Sequence, residues 1–180
     1  MLVLLCLLLA GQFWDEKTPA QWSVAEVRTL LTNSPWGQSG KDLEVHLASA
    51  LPMKEAEKRE RAFASKAGAT SVTFDEYAAM MEDGKYIALA VKIDDPMAVS
   101  DNDHMKRVER DCEMRVGGRK FKLVTYFPPS ARDPYLRLIF PRVPLSGALV
   151  FHYYVPGAVG PYRNAEFQTK DLIYRGKIEY

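Results

Sequence analysis

Apolar and polar positions along this chain fall into three regimes. Leu2 to Leu9 is an unbroken apolar run, and the first charge is Asp15. From there to Gly84 apolar residues recur with a period near 3.6, as helices require, and beyond Gly84 the period falls to two, as strands require. Ser23-Val24-Ala25-Glu26 has the form of a capping box, flanked by Trp22 and Val27 as a hydrophobic staple. The spacing predicts a helix over 23–33 burying Val24, Val27, Leu30 and Leu31, stopped by Pro35, with Trp36 packing back on it. Leu43, Val45 and Leu47 alternate with Glu44 and His46, which predicts a short half-exposed strand. Pro52 suits a first helical position, and the pairs Glu55–Arg59 and Glu57–Arg61 predict a solvated surface helix over 52–66. Thr73 with Glu76 makes a second capping box for a helix over 74–83, closed by Gly84.

Tyr86 to Ile93 reads as a mostly buried strand. Val108, Cys112, Met114 and Val116 then alternate with charged residues up to Gly117-Gly118, and Arg119 to Phe127 follows. Two glycines between such runs predict a two-residue hairpin turn. Val116 then faces Arg119, Met114 faces Phe121, Cys112 faces Leu123 and Val108 faces Phe127, so the apolar faces coincide; Glu113 meets Lys122 and Arg115 meets Lys120 on the other face. Further strands are expected at Tyr135–Phe140, Leu149–Val155, Arg163–Thr169 and Asp171–Tyr180. Pro128, Pro129, Pro134, Pro141, Pro144, Pro156 and Pro161 mark the corners between them. The expected fold class is α+β: a helical part at 11–84 followed by an antiparallel β-sandwich-like region at 86–180, the two forming one compact unit.

Composition adds bounds to this picture. The chain has 180 residues, 47% of them hydrophobic and 26% charged, which is ordinary globular usage. Twenty-four basic against 23 acidic side chains leave a net charge of +1, with no drive toward nucleic acid. The run at 2–9 is too short to span a bilayer and reads as the core of a signal peptide ending near Ala10-Gly11, with no basic residue before it. Export to the periplasm or outside the cell follows as the expectation, with no transmembrane span. Cleavage there removes Cys6 and leaves Cys112 without a disulfide partner, as a small buried hydrophobe.

The segments WSVAEVRTLLTNSPWG at 22–37, LEVHLASALPMKEAEKR at 43–59 and LIYRGKIEY at 172–180 resemble uncharacterised secreted bacterial proteins met mostly in soil species. The resemblance covers about a quarter of the chain. It implies export and carries no catalytic residues over.

Motifs that announce catalysis are missing. His46, His104 and His152 have no zinc-ligand spacing, Ser146 is not in GxSxG, and no phosphate-cradling glycine loop occurs. The densest local cluster is Asp94, Asp95, Asp101, Asp103 and His104, oxygen ligands that could form a weak calcium site or simply a solvated turn-rich loop. Tyr153, Tyr154 and Tyr162, near His152, are candidate stacking residues for a ligand, though alternation also places them as core aromatics. Arg119 and Lys120, with Arg115 and Lys122, make the hairpin tip basic and suited to an anionic polymer or partner. Two functions are expected to compete: a non-catalytic binding or structural module of the envelope or extracellular space, recognising a protein or polymer, and a hydrolase-type enzyme or metal binder built on the 94–104 cluster. The first is favoured, with no cofactor required.

Overall fold

The computed structural model describes residues 12–40, 43–64, 72–130 and 133–180. The apolar run at 2–9, with Cys6 and the expected cleavage point, lies outside them. Described elements begin with a short α1 (Phe13–Glu16), α2 (Val24–Thr32), and strands β1 (Asn33–Ser34), β2 (Gly37–Gly40) and β3 (Leu43–Leu47). Then come α3 (Leu51–Ala64), α4 (Val72–Glu82), β4 (Tyr86–Lys92) and α5 (Asn102–Asp111). The remainder is β5 (Glu113–Val116), β6 (Arg119–Lys122), β7 (Thr125–Phe127), β8 (Tyr135–Pro141), β9 (Ala148–Tyr154), β10 (Tyr162–Gln168), β11 (Ile173–Tyr174) and β12 (Lys177–Ile178). The protein is α+β, with its strands in antiparallel sheets.

The larger sheet runs β1-β2-β3-β4-β8-β7 and the smaller one β10-β9-β5-β6, with β11 and β12 as a separate hairpin. Alternation decides what lies between the two sheets. Val45, Leu47, Leu89, Val91, Leu138 and Phe140 point from one face of the larger sheet into a single apolar cluster with Met114, Leu149, Phe151 and Phe167 of the smaller sheet. Phe140 and Phe151 meet across it with ring centroids 5.4 Å apart. The opposite face carries Ala48, Ala88, Ala90, Tyr135 and Ile139, which cluster with Tyr77 and Met81 of α4. The larger sheet is therefore a middle layer, covered by a sheet on one side and by helices on the other.

The Ser23–Glu26 capping box forms as the sequence predicts: Ser23 Oγ accepts from the Glu26 amide at 3.2 Å, and the Glu26 carboxylate accepts from the Ser23 amide at 2.8 Å. Val27, Leu30 and Leu31 are buried, but Val24 is 63% exposed, because the first turn of α2 stands clear of the core. Trp36 is buried edge-on to Trp14 and Tyr174. α4 begins at Val72, so Thr73 is a helical residue and not a cap. Gly84, at φ 66°, takes the left-handed conformation expected after this helix.

The predicted hairpin register holds over β5 and β6, with Glu113 opposite Lys122, Met114 opposite Phe121, Arg115 opposite Lys120 and Val116 opposite Arg119. Gly117 and Gly118 both have positive φ, as the tight turn demands. The extension of that register fails at both ends. Val108 is on α5 rather than on a strand opposite Phe127, and Cys112 follows the helix as its C-cap. On the other side the chain changes sheets after Lys122, since β7 pairs with β8. Two further expectations are overturned. β3 is not half exposed, because His46 is only 1% accessible, and α3 is not a purely solvated helix, because Met53, Ala56 and Glu57 are buried. His46 and Glu57 are buried by the helical cover on the second face of the larger sheet, whereas Met53 and Ala56 join Val27, Leu30 and Leu31 of α2 in the main apolar cluster.

Candidate functional site

One row of side chains crosses the helix-covered face of the larger sheet. Gly37 on β2 pairs with His46 on β3, His46 with Ala90 on β4, Ala90 with Arg137 on β8, and Arg137 with Phe127 on β7. Ala90 is the small residue between an imidazole and a guanidinium. Into the space above it α3 lowers the Glu57 carboxylate, whose Oε1 accepts from His46 Nε2 at 2.7 Å and from Arg137 Nη1 at 2.7 Å. All three side chains are buried.

Arg137 makes a second ion pair with Asp133, whose carboxylate accepts from Nη2 at 3.1 and 3.2 Å. The faces of its guanidinium are lined by rings: Tyr77 at 4.5 Å, Phe74 at 5.2 Å and Tyr135 at 5.6 Å from the central carbon. Weakly hydrated and planar, a guanidinium suits a site that offers both carboxylates and aromatic faces. Burial would raise the Glu57 carboxyl, but the charge of Arg137 and the His46 hydrogen bond outweigh it and hold the group well below the ordinary carboxylate range. Burial likewise works against the Arg137 cation, and Glu57 more than restores it. Tyr77 is pushed above its usual value by burial and then by Glu57. Glu57 is thus a fixed anion, unsuited to donating a proton at neutral pH.

Above this buried network lies a cleft of about 240 Å³ between α3 and α4. Its α3 wall is the stripe Lys54, Glu57, Lys58 and Arg61, spaced i, i+3, i+4 and i+7. Its α4 wall is the stripe Phe74, Tyr77, Ala78 and Met81 at the same spacing, continued by Glu82. Arg61 lies over the Phe74 ring at 3.7 Å and reaches Glu57 Oε2 at 3.5 Å. A polar, mostly cationic stripe therefore faces an apolar one across open space.

The residues singled out in the sequence lie away from this cleft: Tyr154, Tyr162, His104 and His152 come together on the α5 side of the smaller sheet, with the Tyr154 and Tyr162 rings 5.4 Å apart, while Tyr153, the hairpin-tip cations and the remaining acidic residues lie apart from them. Tyr153 is fully buried in the sandwich core, and its hydroxyl has no hydrogen-bond partner among the described residues. Tyr154 is buried under α5, its hydroxyl 2.5 Å from His104 Nδ1. Tyr162 is 46% exposed on the outer face of the smaller sheet, stacked with His152 at 6.0 Å and bonded through its hydroxyl to Asp111 at 2.9 Å. His152 Nδ1 in turn meets Asn164 Oδ1 at 2.8 Å. Lys120 sits 3.4 Å from Glu113, which Arg115 also contacts, while Arg119 turns toward the Phe121 ring at 5.4 Å. Glu113 offsets one of the four positive charges at the hairpin tip.

Asp95 accepts from the Met97 amide at 3.0 Å and Asp101 from the Asp103 amide at 2.7 Å, so each caps the short helix after it. Asp103 is 3.4 Å from Lys106, and Asp94 borders a separate small recess with Glu44 and Lys92. Among the described residues no three His, Cys, Asp or Glu side chains come together as metal ligands. Cys112 is buried, its Sγ accepting from the Tyr154 amide at 3.4 Å, and burial pushes its thiol up to about 11. Among the described residues no helix is long and apolar enough to cross a membrane. Comparison with family models, curated proteins and solved structures returns no match.

Proposed function

We propose that the protein is an exported, non-catalytic binding module that takes a small ligand in the cleft between α3 and α4. The observation that carries this reading is the facing of two stripes, one cationic and one apolar, that leave a cleft where a helix pair would ordinarily close. Catalysis needs convergent titratable groups free to exchange protons. His46 is committed to Glu57, Glu57 is held as an anion, His104 is engaged with Tyr154 and His152 with Asn164, which favours binding over turnover. Export is supported by the apolar run at 2–9 and by the resemblance of the 22–37 and 43–59 segments to secreted bacterial proteins.

Native mass spectrometry of the protein recovered from its host tests the reading as a whole. The expected result is an extracytoplasmic chain beginning near Gly11 that carries a non-covalent small-molecule adduct, released chemically unchanged. Ala78→Trp, which fills the cleft, removes the adduct. An intact Met1 in the cytoplasmic fraction refutes export; a chain without adduct, or an adduct indifferent to Ala78→Trp, refutes the cleft.

A further inference from the structure

We infer that the ligand of the α3–α4 cleft is a small amphipathic anion, a monocarboxylate of about eight carbon atoms in all. This rests on the cleft being the binding site and adds the chemistry of its occupant. The size follows from the volume: about 240 Å³ is roughly 1.6 times a cavity of about 150 Å³ that holds the six carbons of benzene, room for about ten non-hydrogen atoms.

The apolar end follows from α4. Phe74, Tyr77, Ala78 and Met81 present rings, a methyl and a thioether to the cleft, surfaces that favour hydrocarbon over water. The anionic end follows from the charge balance of α3. Arg137 and Arg61 are spent on Glu57 and Asp133 in the floor, and Arg61 is further pinned over Phe74. Lys54 and Lys58 remain, one helical turn apart on the rim; among the described residues neither forms a direct ion pair, although the Glu57 and Glu179 carboxylates act on Lys54 at longer range and Arg142 opposes them. Facing them, the one carboxylate among the described α4 residues that line the cleft is Glu82. Side chains at i and i+4 stand about 6 Å apart at their Cβ atoms, a spacing at which two ammonium groups can share the two oxygens of one carboxylate. A fully apolar ligand leaves the lysines unused, and a cationic one meets them head on.

Isothermal titration with three eight-carbon probes that differ in their polar end separates these cases: octanoate, 1-octanol and octylammonium. Octanoate is expected to bind about fivefold more tightly than octanol, the effect of exposed ion pairs worth about 1 kcal/mol together, and octylammonium is expected to bind more weakly than octanol. The double variant Lys54→Gln/Lys58→Gln removes the octanoate preference and leaves octanol unchanged; both positions are exposed, so the fold is kept. Ala78→Trp abolishes binding of octanoate and octanol alike. Equal binding of octanol and octanoate, sensitive to Ala78→Trp, overturns the anionic end while leaving the cleft as a binding site, and so does a preference for octylammonium. No Ala78-dependent binding of any probe overturns both.

Discussion

Glu57→Gln is the most direct probe of the buried network, because it removes one charge and changes almost no volume. In the wild type Oε1 accepts from both His46 and Arg137 at 2.7 Å, and a glutamine carbonyl can occupy the same position. What is lost is the ionic part of two charge-assisted bonds and the compensation of a buried guanidinium. Breaking a buried ion pair from one side costs about 3–5 kcal/mol. Arg137 keeps Asp133 at 3.1 Å and three aromatic rings, so the loss should fall at or below the low end, about 2–3 kcal/mol. With a urea m-value of about 2.5 kcal/mol/M for a chain of this size, the unfolding midpoint moves down by about 1 M. The pH dependence gives the argument a sign. The folded Glu57 carboxyl lies below its unfolded value of about 4.3, so its stabilisation is full above that pH and lost as pH falls through the window beneath it. The gap between the two proteins should be the same at pH 7 and pH 6 and smaller by about 1 kcal/mol at pH 3.5, at about 1.4 kcal/mol per pH unit. Glu60, raised by burial and then by Glu57, has the opposite sign; its burial acts in both proteins, while its repulsion from Glu57 is relieved in the variant and offsets part of the narrowing in acid. A midpoint shift under about 0.3 M, or a gap that does not narrow in acid, would show that the carboxylate is not the centre of this network.

Two stability measurements check the frame around it. Gly37→Ala should cost about 3 kcal/mol in urea unfolding, because the new methyl carbon would lie 2.3 Å from the Leu31 carbonyl oxygen and 2.7 Å from that of Leu30, backbone atoms that cannot step aside; a loss under 1 kcal/mol would mean that α2 and β2 are not in close approach. Met114→Asp should lower stability by about 2–4 kcal/mol, since Met114 is fully buried with Phe121 and Phe151 opposite it on either side. Lys122→Gln on the exposed side of the same hairpin should be nearly neutral by thermal unfolding, and equal losses at the two positions would reverse the assignment of faces.

Much of the sandwich was legible because its signals are local. The hairpin of β5 and β6 is written in two runs of alternating residues and the glycine pair between them. The helix α5 was missed where two periods share residues. Val108 and Cys112 are four apart, a helical spacing, and Met105 extends it backward by three, yet Cys112, Met114 and Val116 continue it with period two. The Asp101 cap that begins this helix is present in the sequence, but among neighbouring Asp and Asn residues it reads equally as part of a solvated turn-rich loop or a weak metal site. Capping and chelation draw on the same residue types, and only geometry separates them.

The network was hidden for a different reason. Alternation says that two sets of residues face opposite ways; it does not say that either way is water. His46 alternates with Val45 and Leu47, which is the pattern of a strand with one wet face. In a middle layer the second face is also covered, and a polar residue there must find a buried partner. A signal for this did exist: β4, Tyr-Ile-Ala-Leu-Ala-Val-Lys, is apolar on both faces, so the neighbours that pair with it share its double cover. The partners themselves were out of reach, since His46 and Glu57 are 11 residues apart and Glu57 and Arg137 are 80 apart. The i,i+4 pair Glu57–Arg61 was read correctly as an ion pair and wrongly as a wholly exposed one, for Arg61 sits at the lip of the cleft while Glu57 reaches beneath it. A helix that spends one carboxylate inward to neutralise a buried arginine leaves an excess of cations on its remaining surface. Lys54 and Lys58 are that excess, and the burial of Glu57 thus connects the stability of the middle layer to the charge of the cleft above it.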